Sequence, residues 1–178
     1  MQRQLELLAK GQSFVIEMTI DFVATADKPI SFGQFVASQQ VTGIPSDLPG
    51  GDPAFIMVPP VEQWRDDYIF LTPSFYAFDF IIVAHSPSAN ILLDGAAFPP
   101  TCETTPVAGA EDSFEVTRCP LSFPQIVEGT PPDNILPGEQ DDGVHEIVSD
   151  KAVGVVVYGF DNFVSYGYTA GTDLRIIQ

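Results

Sequence analysis

Ile30-Ser31-Phe32-Gly33-Gln34-Phe35-Val36-Ala37 follows Asp27-Lys28-Pro29, and the two stretches together decide the fold class. Proline fixes φ and aspartate bonds its own backbone, so the first marks a turn. After it, Ile30, Phe32, Gln34 and Val36 fall on one side of an extended chain and Ser31, Gly33 and Phe35 on the other. That period of two belongs to a strand. The same chemistry recurs outward in both directions. Residues 14–20 and 22–25 upstream are apolar runs of strand length, as are 55–58, 68–71, 78–84, 91–93, 144–149, 153–160 and 174–177 downstream. Pro59-Pro60, Thr72-Pro73 and His85-Ser86-Pro87-Ser88 interrupt them, and residues 61–65 suit one helical turn. Asp94-Gly95 fits a two-residue hairpin turn between 91–93 and 96–98.

Composition agrees. Sixteen Pro and 14 Gly leave no room for long helices. Among the larger apolar residues Val, Ile and Phe are the most frequent, with 14 Phe against one Trp, and they and Tyr suit a pleated, half-buried surface. The expected fold is all-β, an antiparallel β-sandwich of jelly-roll type, with a β-propeller-like segment as the alternative. Residues 1–178 are expected to form a single domain, or a fragment of one, in which 99–143 is a long acidic insertion rich in Pro and Gly, holding one short strand near 114–117. Residues 27–35 and 150–158 resemble each other at an offset of 123, which predicts two related halves with equivalent hairpin arms.

Twenty-four acidic residues against seven basic ones give a net charge of −17. Such a surface repels phosphate backbones and anionic lipid, which argues against nucleic acid and membrane partners. No run of 18 apolar residues is present, so no transmembrane helix is expected. Residues 1–11 lack the apolar core of a signal peptide and read as the start of a strand, so the chain is expected to be part of a longer protein. Cys102 and Cys119 lie in one Pro-rich stretch without metal-binding spacing. They are expected to form a disulfide that pins the insertion, which implies an oxidising compartment.

Catalytic motifs are missing. His85 and His145 are the only histidines, and neither Gly-x-Ser-x-Gly nor a phosphate-cradling glycine loop occurs. Ser86 and Ser88 are too close to His85 in sequence to build a triad with it. His85 reads as a strand end and His145 as a partly exposed strand residue. Asp66-Asp67, Glu111-Asp112 and Asp141-Asp142 read as loop carboxylates. Glu139, Asp141 and Asp142 with Gly143 are the one candidate Ca²⁺ set, since Ca²⁺ accepts loop oxygens in flexible geometry; no other cofactor is implied. The candidate ligand site is the tail, where Tyr158, Phe160, Phe163, Tyr166 and Tyr168 alternate with small residues. Rings offer contact area and glycine permits close approach, which suits a ledge for protein or glycan.

At this tail the chain becomes recognisable. Val157-Tyr158-Gly159-Phe160, then Ser165-Tyr166-Gly167-Tyr168-Thr169-Ala170-Gly171, resembles the C-terminal signature of the IgG Fc-binding protein N-terminal domain family. Upstream, Asp27-Lys28-Pro29-Ile30, Val58-Pro59-Pro60-Val61-Glu62-Gln63-Trp64, Leu92-Leu93-Asp94-Gly95 and His145-Glu146-Ile147-Val148-Ser149-Asp150 follow the family's order. The resemblance covers roughly residues 11–171, and the Cys102–Cys119 region departs from it. It implies an extracellular or cell-surface module for binding or adhesion, of the kind found in mucin-like secreted proteins and large bacterial surface proteins, with a bacterial member expected. It supplies no catalytic residues. The rival expectations are a structural spacer in a large surface protein and a carbohydrate-active hydrolase.

Overall fold

The computed structural model of the chain describes residues 9–43, 48–125 and 136–174; 48% of these lie in strands and 5% in helices. In chain order the elements are β1 (Phe32–Val36), α1 (Gln39–Thr42), β2 (Ala54–Val58), a 3₁₀ turn (Val61–Gln63), β3 (Arg65–Thr72), β4 (Phe78–His85) and β5 (Ile91–Leu93). There follow β6 (Glu103–Pro106), β7 (Glu115–Gln125), β8 (Leu136–Glu139), β9 (Gly143–Asp161) and β10 (Val164–Thr169). Every strand pairing is antiparallel, as expected for an all-β sandwich.

β9 organises the molecule. Its first part pairs with β3 on one side and β5 on the other, and its second part with β4 and β10. The larger layer runs β10-β9-β4-β7-β6, with β8 beside the far end of β7. One strand therefore carries a continuous sheet from one layer into the other. Asp150, Lys151 and Ala152 are all exposed and mark the bend, breaking an alternation that otherwise buries His145, Ile147, Ser149, Val153, Val155 and Val157. The Asp150 carboxylate accepts from the backbone and side chain of Asn90 at 2.8 and 2.6 Å, which ties the bend to the lead-in of β5.

The core lies between the layers. Tyr68 and Phe70 of β3, Ile91 and Leu93 of β5 and Ile147 of β9 meet Ile81 and Val83 of β4, Leu121 of β7, and Val155 and Val157 of β9. Each such side chain contributes about 1.5–3 kcal/mol on burial. Gly159 sits where the backbone of β4 comes closest: a Cβ there would lie 2.5 Å from the Phe78 carbonyl oxygen and 2.6 Å from Asp79 Oδ1. Gly159→Ala is therefore expected to destabilise the domain by about 1–3 kcal/mol through overpacking. A urea midpoint equal to that of the wild type would contradict the close approach.

β1 and β2 form a separate ribbon laid over β10. Thr169 Oγ1 donates to the Met57 carbonyl at 2.6 Å, and the Asp52 amide donates to Ser165 Oγ at 3.0 Å.

Several expectations need correction. Residues 14–20 and 22–25 form no strand; Asp21 between them pairs with Arg118, and Phe22 meets Phe32 of β1 edge-on at 5.8 Å. Leu174 is also outside any strand, and 175–177 and the opening residues 1–8 lie outside the described residues. The stretch 99–143 is not an insertion on a finished sandwich, because β7 is a full member of the larger layer, paired with β4 along seven residues from Asp79 to His85. Residues 27–35 and 150–158 are not equivalent. The first leads into an exposed ribbon strand, whereas Asp150 and Lys151 sit inside β9 and Val155 is at the centre of the core. Among the described residues no repeated propeller blade occurs.

Cys102 and Cys119 are joined, as expected. Cys119, however, is wholly buried on the inner side of β7 opposite Ile81, so the bond belongs to the core and not to a surface loop.

Candidate functional site

Strand geometry divides the aromatic tail, since successive side chains point to opposite faces. Tyr158 and Phe160 point outward from β9 and join a ring ladder with β4. Phe80 stacks on Tyr158 at 5.1 Å between centroids, Phe78 stacks on Phe160 at 4.6 Å, and Phe123 of β7 meets Phe78 edge-on at 5.1 Å. Tyr166 and Tyr168 pack against the core from β10. Phe163 stands exposed at the β9–β10 turn with φ 55°. The five residues therefore form no single ledge. Tyr168 alone among them lines the open groove of about 560 Å³ between β10, the ribbon and Pro59-Pro60. Its hydroxyl bonds both polar groups of the Leu71 peptide, accepting from the amide at 2.9 Å, which secures the free edge of β3.

A buried polar network occupies the interior beside these rings. Asp79 interrupts the apolar run of β4 and is fully buried. Tyr166 donates its hydroxyl to Asp79 Oδ1 at 2.5 Å, while Asp79 Oδ2 has no hydrogen-bond partner among the described residues. Burial pushes the Asp79 carboxyl above the usual carboxylate range, against the opposing pull of the hydrogen bond from Tyr166; the charge of Asp142 adds to the rise. Burial and the Asp79 contact likewise raise the Tyr166 phenol. Ser122 extends the network, accepting from the Asp141 amide at 3.2 Å and donating to Asp142 Oδ1 at 3.3 Å.

His145 is buried, not partly exposed. It stacks on Phe70 at 5.3 Å, and its ring nitrogens lie 2.9 Å from Asp94 Oδ2 and 3.1 Å from Thr72 Oγ1. Hydroxyl, imidazole and carboxylate thus stand in the order of a nucleophilic triad. Thr72 is 1% exposed, however, and its oxygen accepts the Gly143 amide at 3.1 Å. A hydroxyl so enclosed offers a substrate no approach; the arrangement fastens the end of β3 to the start of β9. His85 is held similarly, between Thr117 Oγ1 at 2.8 Å and the Ser86 carbonyl at 2.9 Å. Ser86 and Ser88 pair with each other at 3.1 Å, away from any triad geometry.

The candidate Ca²⁺ residues do not converge. Glu139 is exposed on β8, Asp142 turns to Ser122, and Asp141 instead joins Asp94 and His145, whose donor atoms lie within 4.8 Å of one another. Asp94 is already engaged, bonding the Glu146 amide at 2.8 Å as well as His145.

The feature that sequence reasoning missed is the outward face of β3, β9 and β5. Tyr68, Phe70 and Thr72 point inward from β3, so Ile69 and Leu71 point outward. By the same alternation Val144, Glu146 and Val148 point outward from β9 and Leu92 from β5. The five aliphatic residues are 41–73% exposed. An antiparallel sheet with one solvated face ordinarily places polar residues there.

An acidic, disulfide-linked antiparallel β domain with an apolar open face has the make-up of an extracellular binding module. The chain belongs to the IgGFc binding protein family, whose model matches residues 2–159. That family is a non-enzymatic binding family of extracellular type. The matched span ends before β10, so Ser165–Gly171 of the sequence signature lies beyond it. Comparison with curated proteins found no match, and comparison with solved structures found none.

Proposed function

We propose that the chain is an extracellular module that binds a protein ligand without catalysis, and that it meets this ligand through the outward face of β3, β9 and β5. The observation that carries the proposal is the exposure of Ile69, Leu71, Val144, Val148 and Leu92 on one side of one sheet. Patches of this kind, rimmed by polar groups, are where proteins associate. In this role the module serves adhesion within a larger secreted or surface protein; the family and the buried disulfide support that setting.

Phe75, just beyond β3, adds an anchor: the residue is 92% exposed and its φ is 74°, a conformation costly for a bulky side chain. A glycan ligand is the second reading, favoured by the groove where Tyr168 lies beside Gln63 and Thr172.

The test is the double substitution Ile69→Ser, Val144→Ser. Both side chains point away from the core, so the thermal midpoint should stay within a few degrees of the wild type, as for surface changes of about 0.5 kcal/mol. Fluorescence of an apolar dye bound to the domain should fall. Retention on the Fc fragment of immunoglobulin G, the ligand in the family's name, should fall at least about tenfold, or about 1.4 kcal/mol. Phe163→Ser, at the opposite kind of site, should leave both readouts unchanged. Dye and Fc retention equal to wild type in the double variant would reject this face as the binding surface.

A further inference from the structure

Resting on that proposal, we infer the chemistry of the partner: a protein segment that combines aliphatic side chains with lysine or arginine, and not a second copy of this chain. The face is not uniformly apolar. Across the register Leu71 stands opposite Val144, Ile69 opposite Glu146, and Val148 opposite both Asp67 and Leu92. Carboxylates are therefore interleaved with the aliphatic residues: Asp67 on β3, Glu146 between Val144 and Val148 in the first part of β9, and Asp94 directly after β5, where its carboxylate holds the Glu146 amide.

Local cations answer Asp67 but leave the charge of Glu146 unmet. Arg65 pairs with Asp67 at 3.1 Å, and Lys151 is turned to Ser88. Glu146 has no cationic partner among the described residues. An occupant that dried the aliphatic residues would also take Glu146 out of water, and an ionised group so enclosed needs an opposite charge. A partner offering only aliphatic groups would leave it unpaired. Lysine and arginine meet both demands, because their stems cover apolar surface while the head reaches the carboxylate.

A second copy meets neither demand. A two-fold contact sets a face against itself, so that each carboxylate row approaches another. Each chain also carries a net charge of −17. The same charge would steer a cationic partner toward the domain and give the encounter a strong salt dependence.

The experiment uses three short synthetic peptides as probes, alternating Val with Lys, Val with Ser, and Val with Glu, each titrated by fluorescence anisotropy. The Val/Lys peptide should bind the wild type at least about tenfold more tightly than Val/Ser, with Val/Glu weakest. Glu146→Gln should remove most of the Val/Lys advantage, and Ile69→Ser with Val144→Ser should weaken both Val/Lys and Val/Ser. Circular dichroism of the variants checks that they are folded. Equal binding of Val/Lys and Val/Ser, with both lost in the serine variant, would overturn the partner class and leave the face intact. Val/Lys binding that the serine variant keeps in full would reduce the effect to bulk charge attraction and remove both proposals. A wild type that sediments as a dimer, and is made monomeric by the serine substitutions, would make a second copy the occupant.

Discussion

Replacing Cys102 and Cys119 together by alanine is expected to lower the stability of the domain by about 3–5 kcal/mol. The bond closes a separation of 17 residues. In the chain-entropy account a loop of that size is worth about 3 kcal/mol through the unfolded state. Its surroundings add a second contribution. Cys119 has no exposed surface and packs with Ile81, Leu121 and Val157, and Cys102 packs against the same cluster from its edge. Truncation to alanine removes core volume that β7 and β4, paired along their length, are poorly placed to refill. For a domain of this size the combined loss corresponds to a fall in thermal midpoint of roughly 10 °C. Urea unfolding of wild type, reduced wild type and the double variant provides the measurement. If the midpoints coincide and only cleavage between 103 and 118 accelerates, the bond merely pins a connector. A large shift with intact protease resistance at low urea would place it in the core.

That contrast also shows what the sequence concealed. Strands β1 to β5 and the two parts of β9 were legible because turn residues bracket apolar runs. Asp94-Gly95 even announces its turn, with φ of 52° and 76° at the two positions. Only the start of β7 was legible, as the short strand near 114–117; its length was concealed by Pro120 and Pro124, which argue against a central strand. The structure accommodates Pro120 in a gap: β6 pairs with Glu115–Arg118 and β8 with Phe123 and Gln125, so no ladder bond on that edge is wanted at Pro120. On the other edge the β4–β7 register shifts at this point. Residues 14–20 failed in the opposite direction. They have strand composition, but among the described residues no neighbouring strand pairs with them, and composition cannot supply a ladder partner.

The site was less legible for two physical reasons. His145 draws its surroundings from Thr72 and Asp94, 73 and 51 residues away, distances over which one sequence carries no pairing signal. The open face was hidden because Ile69 and Leu71 alternate with Tyr68, Phe70 and Thr72. A strand apolar on both sides reads as buried on both sides. One signal was present and unused. Asp79 stands within Phe78-Asp79-Phe80-Ile81-Ile82-Val83, where a charge has no reason to be unless the fold supplies partners or removes the charge.

Asp79→Asn is accordingly expected to alter the pH dependence of stability more than any other single substitution at this site. Burial is the main cause of the raised Asp79 carboxyl, and among the described residues Oδ2 has no partner to stabilise its ionised form. A group whose folded value is raised binds its proton more tightly in the native state. Its stabilising contribution is fully present below the ordinary value of 3.8 and is lost as pH rises through the folded value. Between those limits the native state holds one proton that the unfolded chain has released, so the free energy of unfolding falls by up to about 1.4 kcal/mol per pH unit from this residue. Asparagine does not titrate, and its carbonyl can still accept the Tyr166 hydroxyl. The other carboxylates titrate in both proteins, and their contributions largely cancel in the difference. Urea unfolding in steps from about pH 4 to pH 7 should therefore show the variant gaining on the wild type as pH rises, with the gain levelling off once Asp79 has ionised. A difference that stays flat across that range would mean that Asp79 keeps an ordinary carboxyl, and that water or a cation reaches Oδ2 in solution.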